Sequence, residues 1–227
     1  MILEKLKNKI TLGDSLEILK QLPDKCIDLV LTDPPYGISC DGGSYGLGVK
    51  PKELSKKSWD DSIPEKTYFD EMERVSKNQI IFGGNYFTEF LKPTKAWIVW
   101  DKIGSLQLQN NFSQCELIWT SFKAVTKKIT FIQQGFINDD KTENKFRFHP
   151  TQKPLKLFET ILRDCMPRVA GGGLLVADFF SGSGTTAVAC HNLGIDFIAV
   201  EKDEEYFKKS VERLKEAQAQ MRLFTEF

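Results

Sequence analysis

A chain of 227 residues with 41% hydrophobic and 27% charged side chains has room for one large domain or two small ones. Its charges balance, 31 basic against 31 acidic, so net charge neither demands nor excludes a nucleic-acid partner. No apolar run approaches the roughly 20 residues that span a bilayer. The N-terminal MILEKLKNKI is charged every few residues and lacks a secretory apolar core, so a cytoplasmic protein with no membrane partner is expected. Cys26, Cys40, Cys115, Cys165 and Cys190 show no C-x-x-C spacing, and His149 and His191 are the only histidines. That leaves no zinc constellation, and reduced packing cysteines are expected.

The first strand expected is KITLG (9–13), followed by a helix over SLEILKQL (15–22) with Asp14 as N-cap. IDLVLT (27–32) reads as a buried strand that runs into TDPPYG, where Pro34 and Pro35 stop regular structure. Residues 39–63 are rich in Gly, Ser and Lys, and a loop that long is usually functional or disordered. A helix over 64–76 with Pro64 in its first turn follows, then strands QIIFGG (79–84), AWIVW (96–100) and ELIWTS (116–121). Trp97, Trp100 and Trp119 fall in these strand patterns and are expected in the core.

From Lys123 to Lys153 the chain turns basic: Lys123, Lys127, Lys128, Lys141, Lys145, Arg147 and Lys153 face only Asp139, Asp140 and Glu143. A phosphate-facing patch and a solvated lysine-rich loop account for that equally well on composition alone. Helix 154–166 opens on Pro154, strand GLLVAD (173–178) leads through glycines into the helix TTAVACHNLG, and strand DFIAV (196–200) precedes an amphipathic helix at 203–220. The alternation predicts a single α/β domain over 1–227, with a doubly wound, mostly parallel sheet of about seven strands and one or two antiparallel strands near ELIWTS.

In LLVADFFSGSGTTAVAC a strand ends at Asp178 and a Gly/Ser turn opens a helix. In a doubly wound sheet such a turn faces the ligand crevice. Gly182 and Gly184 allow close backbone approach, and Glu201 closes the next strand 23 residues after Asp178, a spacing that suits ribose hydroxyls. A G-x-x-x-x-G-K-[ST] phosphate loop is excluded because no lysine follows Gly184. A dinucleotide-binding fold survives on the turn alone, since Ala187 stands at the position of its third glycine.

TDPPYG together with DFFSGSGTT, and HPTQKP at 149–154, resembles the S-adenosylmethionine-dependent DNA amino-methyltransferases in their beta-group motif order. The resemblance covers roughly 8–36 and 79–220 and implies a Rossmann-like methyltransferase fold. It implies that Phe180, Ser181, Gly182, Ser183 and Gly184 surround the methionine portion, within a loop from Asp178 through Thr185 and Thr186. It further implies that Glu201 holds the ribose and Asp14 the adenine of the cofactor. His149, Thr151 and Lys153 then lie at the amino-acid end, with Lys153 on the carboxylate. Asn85, in the Gly83–Gly84–Asn85 turn, is expected to line the base pocket or to cap a helix.

An exocyclic amine is a poor nucleophile because its lone pair is delocalised into the ring. Asp33 and the Pro34 carbonyl, fixed by Pro34 and Pro35, are expected to accept its N–H bonds, while Tyr36 stacks on the extruded base. DPPY leans toward adenine N6. N4 of cytosine, an RNA amino-methyltransferase and an inactive nucleic-acid-binding subunit are the alternatives. Residues 39–63 are expected to form a mobile loop near the target base, and 122–148, with Lys127 and Lys128, a target-recognition insertion on DNA. So small an insertion implies a homodimer, a relaxed sequence preference or a second polypeptide.

Overall fold

Two strands at the centre of one sheet set the architecture. The computed structural model describes residues 2–38, 60–107, 113–134, 137–138, 148–149, 151–165 and 173–225. In chain order these form α1 (Ile2–Leu6), β1 (Lys9–Leu12), α2 (Ser15–Leu19), β2 (Ile27–Thr32), α3 (Lys66–Val75) and β3 (Ser76–Ile81). A 3-10 turn (Gly84–Tyr86) leads to β4 (Ile98–Asp101), β5 (Cys115–Thr120), β6 (Lys127–Thr130), β7 (Gln133–Gln134) and β8 (Ile137–Asn138). The chain closes with α4 (Leu155–Cys165), β9 (Leu175–Asp178), α5 (Thr185–Asn192), β10 (Asp196–Glu201) and α6 (Glu204–Thr225).

The main sheet has eight strands in the order β1-β10-β9-β2-β3-β5-β4-β6, and β7 and β8 pair separately as an antiparallel ribbon. Only β5 runs against the rest: it is antiparallel to both β3 and β4, while the other adjacent pairs are parallel. The expected strand near ELIWTS is therefore the antiparallel one. β6 adds the strand beyond the expected seven, so residues 127–130 of the expected insertion belong to the sheet.

Side chains alternate between two cores because helices cover both faces. Leu29 and Leu31 of β2 join a cluster with Phe158 and Ile161 of α4, Val188 of α5 and Leu214 of α6. Val30 points to the other cluster, with Leu6, Leu19, Phe69 and Met72 of α1, α2 and α3. This is why IDLVLT reads as continuously apolar. Trp100 and Trp119 are buried as expected, and Trp97 packs against the second cluster. No described helix is long and apolar enough to cross a membrane.

Two helix boundaries differ from expectation. α3 begins at Lys66 with Glu65 in extended conformation as its N-cap, so Pro64 lies outside the helix. α2 stops at Leu19 rather than at 22. Beyond it, Arg74 of α3 donates to the carbonyls of Leu19 and Leu22 at 2.8 and 2.9 Å, holding these carbonyls from the side. The same guanidinium pairs with Asp24 and Glu71. Arg74→Ala is expected to lower the unfolding free energy by about 1–3 kcal/mol by leaving those carbonyls unmatched. Denaturant titration checks this, and an unchanged midpoint would remove Arg74 from this role.

Candidate active site

From β2 the chain passes to β3 on one side, and from β9 to β10 on the other. The carboxyl ends of β2 and β9 therefore open a crevice at the point where the winding reverses. Thr32 ends β2 and Asp178 ends β9, and the Thr32 hydroxyl donates to Asp178 Oδ1 at 2.6 Å. The sequence DPPY and the glycine turn, separated by about 145 residues, start from that one contact.

On the β2 side, the two prolines take the backbone out of the ladder, and Asp33 and Tyr36 turn toward each other. The Tyr36 hydroxyl donates to Asp33 Oδ1 at 2.6 Å. Asp60, which is buried, accepts from the backbone N–H groups of Tyr36 and Gly37 at 2.8 and 3.0 Å and so fixes the turn. Tyr36 stacks on the exposed ring of Tyr86, with centroids 4.8 Å apart and planes 13° off parallel, and meets Phe87 edge-on. The 3-10 turn thus lies against Tyr36. Gly83, not Asn85, is the capping residue of that turn, and Asn85 is exposed.

Lys153 turns toward the β2 end. Its ammonium donates to Asp33 Oδ2 at 2.6 Å and lies 3.3 Å from the Tyr36 hydroxyl. The physical reason lies in its two ends. The Lys153 carbonyl accepts from the Thr185 hydroxyl at 3.4 Å, so the backbone stays by the glycine turn while the side chain runs to the β2 end. Glu116 of β5 stands 3.5 Å from the ammonium, and Lys102 pairs with Glu116 at 3.0 Å. Burial raises the Asp33 carboxyl above its ordinary value despite Lys153. Burial opposes the charge on Lys153, but Asp33 and Glu116 outweigh it and hold the ammonium. Burial also drives Tyr36 well above an ordinary phenol, with Asp33 adding to it.

On the β9 side, Asp178 is buried and fully engaged. Besides Thr32, it accepts from the Phe180 N–H at 3.1 Å and the Thr186 hydroxyl at 2.5 Å. Burial lifts its carboxyl to about 6. Gly182 and Gly184 adopt left-handed conformations, and a Cβ on Gly184 would meet Ser210 at 3.0 Å and Ile10 at 3.3 Å. The side chains of Ser183 and Thr185 bond to each other and to Arg213 of α6, so their hydroxyls are committed within the protein. Ser181 differs: its hydroxyl is buried and bonds to nothing among the described residues. His149 packs its ring on Tyr206, meets the Thr151 hydroxyl at 3.2 Å, and lies beside Gly182.

Glu201 ends β10 at the same rim. Its carboxylate accepts from the N–H groups of Gly182 at 2.6 Å and Asp203 at 2.7 Å, yet burial still pushes it up to about 7. Asp14 caps α2 through the Leu16 N–H, pairs with Lys202 at 2.9 Å and receives the Tyr68 hydroxyl at 3.3 Å. Tyr68 and Phe180 meet with centroids 5.6 Å apart, giving an aromatic wall beside Asp14. The unpaired Ser181 hydroxyl, the two left-handed glycines and a carboxylate with lone pairs to spare form a cradle suited to a small ligand with hydroxyl groups.

Lys127 and Lys128 lie apart from this crevice on β6 and are exposed, paired with Asp164 at 2.9 Å and Asp101 at 3.0 Å. Residues 39–59 and most of 135–147 lie outside the described residues, and with them most of the expected mobile loop and recognition segment. No metal-ligating cluster and no disulfide occur among the described residues. The sequence reading missed Asp60, Tyr68, Tyr86, Lys102, Glu116 and Arg213. The available signal was Glu116, an acid in an otherwise apolar strand.

Residues 86–212, more than half of the chain, match the N6_N4_Mtase family model, described as DNA methylase. The chain is 27% identical to the Type II methyltransferase M.HinfI of Haemophilus influenzae, covering 92% of this chain and 68% of that protein. Among solved structures, the M1.HpyAVI–SAM complex superposes with a TM-score of 0.56 at 22% identity, covering 91% of this chain and 98% of that one. The cytosine-N4-specific PvuII DNA methyltransferase gives 0.58 at 17% identity, covering 92% and 90%. Both superpositions bear out the Rossmann-like methyltransferase fold.

Gly83 tests how far the crevice depends on close packing. Its φ is +63°, and a Cβ there would overlap the Tyr36 ring. Gly83→Ala is expected to cost about 1–2 kcal/mol for the left-handed backbone alone, with the displaced ring adding to that. Denaturant unfolding of the variant beside Tyr36→Ala/Gly83→Ala, which removes the ring, checks it, and an unchanged stability of Gly83→Ala would deny the contact.

Proposed function

The chain belongs to the N6_N4_Mtase family of DNA methylases, and from that premise we propose that it methylates the N6 amine of an adenine flipped out of DNA, with S-adenosylmethionine as donor. One observation carries the assignment of sites. The Thr32–Asp178 bond places the DPPY acid and the glycine cradle at neighbouring strand ends, where a donor and an acceptor can meet.

When bound, S-adenosylmethionine supplies an electrophilic methyl group. The cradle fits it by chemistry: Glu201 would accept from the ribose hydroxyls, Asp14, Tyr68 and Phe180 would hold the adenine, and Ser181, Gly182 and His149 would hold the methionine portion. Asp33 accepts an N–H of the target amine, and the Pro34 carbonyl accepts the other. Two acceptors favour a pyramidal nitrogen, return its lone pair, and stabilise the positive charge that grows as the methyl arrives. Tyr36, held by Asp60 and Gly83, offers its ring to the base, which is unreachable inside a duplex. Adenine is preferred because the acid precedes PPY, the form that leans toward N6 in this family. Lys127 and Lys128 serve as phosphate contacts outside the crevice, and pairing of two chains is the arrangement that would enlarge the DNA surface.

Incubation with labelled S-adenosylmethionine and DNA or RNA, followed by digestion and mass identification of the nucleoside, is expected to yield N6-methyladenine from DNA. N4-methylcytosine would move the assignment to cytosine, and no modified base from a folded, cofactor-binding chain would sink the reading. Asp33→Ala is expected to keep cofactor binding and to lower transfer by about 10²–10³-fold or more. Near wild-type turnover would take Asp33 out of its role.

Cofactor affinity should follow Glu201. The hydroxyls favour the ionised carboxylate, whose value in the free protein is about 7. Affinity is therefore full above that pH and falls as pH drops through it, by up to about tenfold per unit. Stability runs the other way. This group's contribution is full below its ordinary value of 4.5 and is lost as pH rises through about 7. Calorimetric titration between about pH 6 and pH 8 checks the affinity slope, and Glu201→Gln is expected to flatten it.

A further inference from the structure

Both oxygens of Asp33 already accept hydrogen bonds, Oδ1 from Tyr36 and Oδ2 from Lys153, each at 2.6 Å. An arriving amine must compete with a short charge-assisted bond, among the strongest a carboxylate makes. The lysine has somewhere else to go. Glu116 Oε1 is held by Lys102 at 3.0 Å, while Glu116 Oε2 is buried and accepts no hydrogen bond among the described residues. That open oxygen lies 3.5 Å from the Lys153 ammonium, on a side chain fixed by β5. A buried acceptor that meets its three-donor neighbour only at ion-pair distance has room to form a shorter bond with it.

Resting on the reading of the chain as a DNA amino-methyltransferase, we propose that Glu116 is a positioning residue that takes over the Lys153 ammonium when the target amine binds Asp33. Closing 3.5 Å to about 2.8 Å completes the Lys153–Glu116 bond and releases Asp33 Oδ2 for the amine N–H. No proton is transferred and no charge is created. Lys153 and Lys102 remain cations, Asp33 and Glu116 remain anions, and the buried group stays neutral throughout. Burial pushes Glu116 up, but Lys153 and Lys102 together hold it below the usual carboxylate range, so it stays charged for the exchange. Loss of the lysine also makes Asp33 more basic at the moment it accepts from the amine.

The test compares Glu116→Gln, Lys153→Gln and the double variant in single-turnover methylation of DNA, with melting temperature and S-adenosylmethionine affinity as controls. Glu116→Gln is expected to match wild type in S-adenosylmethionine affinity, to melt lower because Lys102 loses its buried partner, and to transfer at least about tenfold more slowly at a temperature where both are folded. Its acid limb of rate against pH should move downward, because Lys153 stays on Asp33 and the Glu116 charge no longer opposes Asp33 ionisation. Loss of the charge moves that limb in any role, so the comparison with the Lys153→Gln background is what separates the exchange from packing. In the Lys153→Gln background, Glu116→Gln should cost nothing further. A wild-type rate in Glu116→Gln, an unmoved acid limb, or an equal loss in both backgrounds overturns the proposal. If Glu116→Gln does not fold, Glu116→Asp decides, since it keeps the charge but shortens the reach: a slowed rate supports the proposal and a wild-type rate overturns it. A wild-type chain that methylates no DNA removes the proposed function and this inference together. A wild-type chain that transfers beside an unaffected Glu116→Gln removes the inference alone.

Discussion

Asp178 is the point on which the crevice depends. Its buried carboxylate accepts from Thr32 on the neighbouring strand, from the Phe180 N–H in the turn, and from Thr186 on the helix that follows. One side chain thereby fixes the end of β2, the path of the glycine turn and the start of α5. A carboxylate so deeply buried is costly, and its value of about 6 reflects burial only partly offset by those donors. An apolar residue would remove that cost but could not specify three hydrogen-bonding directions at once. The structure accepts a destabilising charge at the place where two sites must hold register.

A second buried group meets the first at β2. Asp33, Lys153, Glu116 and Lys102 alternate in sign through contacts of 2.6, 3.5 and 3.0 Å. Alternation is the condition under which such a chain of charges can be buried, because each ion has an opposite neighbour and none is left uncompensated. It also makes the group adjustable. Moving one ammonium between two carboxylates changes which oxygen is free without changing net charge, whereas a hydrophobic replacement would offer no acceptor. Tyr36 joins this group through its hydroxyl and the aromatic layer of Tyr86 and Phe87 through its ring, so chemistry and stacking share one residue.

The parts legible in the sequence are those whose cause is local. Two prolines after an apolar run end a strand wherever it lies. Asp14 caps α2 through the N–H of Leu16, two residues on, and the glycine turn needs left-handed backbone whatever surrounds it. The parts that were not legible depend on partners far along the chain. Lys153 reaches Asp33 across 120 positions, Arg213 reaches the glycine turn across about 30, and Asp60 clamps Tyr36 from 24 positions away. No periodicity encodes which way Lys153 points, and its motif neighbours suggested the cofactor. The eighth strand was hidden for a similar reason: KKIT is exposed on an edge and shows no buried pattern, and pairing with β4 alone makes it a strand.

A polar site in a protein interior must be satisfied in two states, before and after its substrate arrives. Around Asp33 the resting state is satisfied by donors from within the chain, Tyr36 and Lys153, which keep the carboxylate charged and oriented. Those same donors would block the proposed reaction if nothing could receive them. An acceptor unmatched at rest is then a requirement of the design rather than a flaw in packing, and Glu116 Oε2 is such an acceptor within ion-pair reach of the group that has to move. The same reasoning applies at the cofactor cradle, where Ser181 keeps a buried hydroxyl unmatched while Ser183 and Thr185 beside it are tied to Arg213. In both places the unsatisfied atom stands where the proposed reaction brings a new partner, and the satisfied atoms around it hold the frame still.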